Sequence, residues 1–109
     1  MRRVGSAVHV VEIFLPLKRS DGSDQPRALF GAVRGELVDR FGGLTAFTRS
    51  PAEGLWEAAP GEVERDSIVI FEVMAGEIDR GWWGAYRREL ERRFGQEEIL
   101  IRASAIDRL

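Results

Sequence analysis

LVDRFGGLTAFTRS, residues Leu37 to Ser50, joins the end of a helix to the start of a strand through two glycines. Gly42 follows the last apolar residue of a helical period, where a left-handed C-cap is wanted, and Gly43 lets the chain turn into a strand over Leu44 to Ser50. The phrase has an echo. Leu90 to Gly95 reads LERRFG and leads into EEILIRASAI, residues Glu97 to Ile106, whose alternation is that of a strand. Two helix-to-strand units of the same form therefore follow one another.

Upstream of the first unit, Leu29, Phe30, Val33, Leu37, Val38 and Phe41 recur with the 3.6-residue period of a helix that buries one face, predicted over Gln25 to Phe41. Ser23 or Asp24 is placed to cap it, and Pro26 is tolerated in its first turn. Gly31 and Gly35 each cost it about 1 kcal/mol against alanine, which close approach of another backbone would explain, the alternative being simply a weak helix. Ala7 to Leu17, AVHVVEIFLPL, is β-branched and aromatic and stops at Pro16, as a first strand should.

Between the units, SPAEGLWEAAPGE carries two prolines and two glycines and predicts an irregular excursion around Trp56. From Val63, VERDSIVIFEVMA reads as a long third strand with its apolar part at Ile68 to Ala75. Asp79 caps a second helix whose buried positions are Trp83, Tyr86, Leu90 and Phe94. The result is a βαββαβ chain of α+β class, a ferredoxin-like sandwich over residues 1–109. Its antiparallel sheet has the order 4-1-3-2, with right-handed crossovers placing both helices on one face.

Alternation assigns the faces. Val11, Ile13 and Leu15, with Val69, Phe71 and Val73 and with Ile99, Ile101 and Ala103, point at the helices. Outward go Val10, Glu12 and Phe14; Ile68, Ile70 and Glu72; Leu100, Arg102 and Ser104; and Thr45, Phe47 and Arg49. Such an apolar face predicts sheet-to-sheet packing of two subunits, with Arg102 pairing Glu12 and Arg49 pairing Glu72. Two readings stay open for this quartet. It is a structural ion-pair network, or a dimer cavity in which Glu12 or Glu72 acts as base and Arg49 or Arg102 anchors an anionic substrate.

Composition narrows the field. The chain has 109 residues, 44% hydrophobic and 31% charged, with a net charge of −2. That balance is globular, gives no general attraction for phosphate backbones, and includes no apolar run long enough to span a bilayer. A soluble, cytoplasmic protein that binds neither nucleic acid nor membrane is the expectation. With no cysteine and one histidine, thiol chemistry is excluded and neither a metal nor a cofactor is expected. His9 falls on the helix-side set, where packing or hydrogen bonding is its ordinary role. Trp82 and Trp83 read as core and helix-end shielding, with a stacking platform as the alternative.

RFGGLTAFTRSPAEGLW, FEVMA, WWGAYRRELERRFGQEEI and RASAIDRL together resemble a group of small bacterial α+β proteins. The resemblance implies a ferredoxin-like domain and brings no reaction and no catalytic residues with it. More distantly, the topology is similar to that of dimeric α/β-barrel proteins, which include cofactor-independent monooxygenases and heme-handling enzymes. The function expected is thus a homodimeric binding or interaction module, with a small-molecule or partner site formed by Thr45, Arg49, Trp56 and Arg102. The alternative is a small cofactor-independent enzyme built on Glu12 or Glu72.

Overall fold

The computed structural model describes residues 8–49, 57–59, 62–63 and 67–109. Their elements are β1 (His9–Pro16), α1 (Arg27–Phe41), β2 (Thr45–Arg49), β3 (Glu57–Ala59), β4 (Glu62–Val63), β5 (Ile68–Ala75), α2 (Arg80–Phe94) and β6 (Ile101–Ala105). β2, β5, β1 and β6 lie side by side in that order in one antiparallel sheet, which is the expected ferredoxin-like arrangement. The two central strands are the most apolar. Val11, Ile13 and Leu15 of β1 and Phe71, Val73 and Ala75 of β5 meet Val33 and Leu37 of α1 and Trp83, Tyr86, Leu90 and Phe94 of α2 in a single core. Burial of each large side chain there stabilises the fold by about 1.5–3 kcal/mol.

Both helices stop where the echoed phrase requires. Gly42 and Gly95 take φ of 86° and 63°, the left-handed conformation that a side chain disfavours, and each cap amide bonds back to a carbonyl of the last turn. Asp79 accepts from the Trp82 amide and caps α2 as expected.

Several boundaries differ from the sequence reading. Pro26 rather than Ser23 or Asp24 stands at the N-cap of α1, with no side-chain cap, because Ser23 is turned onto Asp21 and Asp24 is held by Lys18. Gln25 instead has a tertiary role: buried, it donates from Nε2 to the Phe94 carbonyl oxygen at 2.9 Å, satisfying a terminal acceptor of α2. A Cβ added at Gly31 or Gly35 would meet nothing within 4 Å, so no backbone lies against them and α1 simply carries weak helix formers. Glu57–Val63 includes the two-stranded ribbon β3-β4 where no regular structure is expected, and Val63 belongs to that ribbon, so the third sheet strand begins at Ile68. β6 begins at Ile101 rather than Glu97, because the Ile99 amide is taken by Glu91 of α2.

The helices are also clasped by charge. Arg93 donates to Glu36 of α1 at 2.8 Å and to Glu89 at 2.7 Å, and the Tyr86 hydroxyl donates to the same Glu36 oxygen at 2.8 Å. The Arg93 guanidinium, helped by Tyr86, holds the Glu36 carboxyl below its usual range, while Arg92 and Arg93 hold Glu89 down to about 2. Burial, reinforced by Glu36, pushes the Tyr86 phenol up. A carboxylate depressed in the folded state adds stability above its unfolded value, and that contribution is lost as pH falls through the folded one. The unfolding temperature is expected to drop as pH falls from about 4.5 to about 2. In Arg93→Met that acid slope should flatten in thermal melts, and a variant that tracks the parent through this range would contradict the assignment.

Candidate functional site

The face of the sheet away from the helices is ordered by register. Glu12 of β1 stands opposite Glu72 of β5 on one side and Arg102 of β6 on the other, and Glu72 in turn stands opposite Thr45 of β2. A single transverse row therefore reads Thr45, Glu72, Glu12, Arg102. Directly opposed residues have Cβ atoms about 4.5–5.5 Å apart, so the two carboxylates are neighbours.

Arg102 closes one end of this row. Its Nε donates to Glu12 Oε1 at 2.8 Å, and its guanidinium carbon lies 5.0 Å from the centre of the Phe14 ring. One cation thus serves a carboxylate and an aromatic face at once. Glu72 is half-buried and has no ion-pair partner among the described residues. Since ionised carboxylates only accept, Glu72 is suited to a ligand that brings a positive charge or a proton donor.

Apolar rows flank the polar one. On one side, Phe14 and Phe47 both stand opposite Ile70, and the Phe14 amide bonds to the Leu100 carbonyl; on the other, Val10 stands opposite Met74 and Ser104. Phe47, Met74 and Leu100 are 41%, 48% and 52% exposed, which leaves a real apolar patch on this face. Ile70 departs from expectation: it is assigned outward and does lie outside the helix-side core, yet it is buried.

The structure brings Glu12, Glu72, Arg102 and Thr45 together and separates Arg49 from them. Arg49 stands opposite Ile68, four residues along β2 from Thr45, or about 13 Å at strand rise, so the register sets Thr45 rather than Arg49 across from Glu72. Alternation gives the face on which a residue lies but not the offset between strands, and the pairing rested on an assumed offset. What sequence reasoning missed is the opposition of the two acids across β1 and β5. The available signal was that each is the one charge within the apolar run of a central strand. Trp56 lies outside the described residues.

The other aromatic and titratable candidates have structural partners. His9 Nδ1 donates to the Gly76 carbonyl oxygen at 2.7 Å. Trp83 is buried and stacked on Phe41, while Trp82 is stacked on Tyr86 with the Arg40 guanidinium 4.1 Å from its ring centre. These contacts fit the shielding role and leave little of Trp82 for a stacking ligand. Among the described residues no group of acids and histidines could hold a metal ion, and no helix is long and apolar enough to cross a membrane.

No protein-family model matches the sequence, and no curated protein matches it significantly. A solved structure, a phage SAM lyase in complex with S-methyl-5'-thioadenosine, aligns over 96% of this chain and 86% of its own, with a TM-score of 0.62 and 17% identity. At that identity the likeness is one of fold, and it agrees with the ferredoxin-like arrangement.

Replacing Arg102 with glutamine leaves two adjacent carboxylates without their cation. Because Arg102 is half exposed, the expected loss is about 1 kcal/mol in urea unfolding at low salt, and it should shrink in 0.5 M salt. A loss independent of salt would assign Arg102 a packing role only.

Proposed function

We propose that this chain is a homodimeric small-molecule-binding module whose open sheet face is closed by a second copy and whose carboxylate row recognises a cationic ligand. The observation that carries the reading is the opposition of Glu12 and Glu72 with only Arg102 beside them. Two negative charges and one positive leave the row with an excess negative charge, so it favours a cation over the anion that two ion pairs with arginine anchors would have suited. The apolar rows on either side, with Phe14 and Phe47 in one of them, suit a planar body attached to that charge. Their exposed area is also what a second copy would cover.

A nucleoside bearing a sulfonium combines those features. The fold neighbour, solved with S-methyl-5'-thioadenosine, makes S-adenosylmethionine the first ligand to try. The same neighbour supports a second, catalytic reading, in which Glu72, the less engaged of the two acids, takes a proton from the bound molecule.

Calorimetric titration with S-adenosylmethionine and with its uncharged relative S-adenosylhomocysteine tests the charge preference. The sulfonium is expected to bind about tenfold tighter or more, which is about 1.4 kcal/mol, and Glu72→Gln should erase that preference. Equal affinity, or no binding of either, would contradict the proposal. Release of S-methyl-5'-thioadenosine, dependent on Glu72, would select the catalytic reading; binding without turnover would select the module. Light scattering should give the mass of a pair of 12.3 kDa chains.

A further inference from the structure

A second opening lies around the β6 edge, on the helix side of the sheet. It is a groove of about 210 Å³ between α2 and β6, with Val11, Trp83 and Ala103 among its apolar walls and Arg80, Gly84 and Arg87 contributed by α2. Its origin is local. Arg80, Gly84 and Arg87 are spaced four and three residues apart and so share one helix face, and Gly84 puts no side chain over the sheet there. Opposite it, Ala103 offers only a methyl group and stays exposed although its strand position points toward the helices. The helix and the strand edge therefore fail to close on each other.

The charge on this groove is of one sign. Arg87 is engaged by Glu91 at 2.7 Å and Arg102 by Glu12, whereas Arg80 has no carboxylate partner among the described residues. Arg80 is also the first residue of the 15-residue α2, where the helix dipole adds positive potential. An apolar cleft below a cation complements an anion with a slender apolar body. The volume lies below that of sites for drug-sized ligands, which suits a single small organic acid.

We propose that the groove between α2 and β6 binds a small aromatic or short-chain carboxylate, with Arg80 taking the carboxylate and the apolar body lying against Trp83 and Ala103. The groove opens on the helix side of the sheet and shares Arg102 with the open-face row, but Arg80, Trp83 and Gly84 belong to it alone, so it does not depend on the function proposed for that face.

Benzoate, benzyl alcohol and inorganic phosphate, titrated into the full 15N-labelled chain, separate body from charge. Benzoate is expected to move the Trp83 indole and the Gly84 and Ala103 amide signals saturably, and to bind at least tenfold tighter than the alcohol or phosphate. Arg80→Gln should weaken benzoate at least fivefold. Gly84→Leu should abolish binding by filling the groove, since a Cβ at Gly84 meets only the Arg88 side chain, at 3.7 Å. If the leucine variant does not fold, Gly84→Ala takes its place with a partial loss expected. Shifts centred elsewhere, affinity unchanged in Arg80→Gln, or equal binding of alcohol or phosphate would each overturn the proposal.

Discussion

The antiparallel register of β1 on β5, which sets Glu12 across from Glu72, is the constraint on which the open face depends. Backbone hydrogen bonds along eight-residue strands hold that register, so the two carboxylates cannot drift apart without breaking the sheet. Like charges directly opposed on a sheet are unfavourable, and a single arginine offsets only part of the cost. The fold tolerates this because its stability comes from the other face, where the helices cover a continuous apolar core and Arg93 ties α1 to α2.

The two faces thus divide the work. On the helix side the polar groups are satisfied in pairs and threes: Glu36 by Arg93 and Tyr86, Gln25 by the end of α2, His9 by Gly76. On the open side, Glu72 has no ion pair among the described residues and sits between apolar rows, an arrangement that costs some stability.

The fold was legible in the sequence for a physical reason: helix punctuation at Gly42 and Gly95 and alternation in the central strands are local signals, and each points to the same topology. Face assignment followed from parity alone and held for Glu12, Phe14, Arg102 and Thr45. Strand offset is nonlocal, so alternation alone sets neither Thr45 nor Glu12 across from Glu72. The cap of α1 was misread because Asp24 had Lys18 as a competing partner, and the role of Gln25 depends on a helix end 69 residues away.

A double-mutant cycle joining Glu12→Gln, Glu72→Gln and the combined variant in urea unfolding measures the central interaction directly. The account predicts an unfavourable coupling of about 0.5–1 kcal/mol between the two acids at low salt, shrinking as salt is added. A coupling of zero, or a favourable one, would mean that the two carboxylates do not share the row, and would contradict the account.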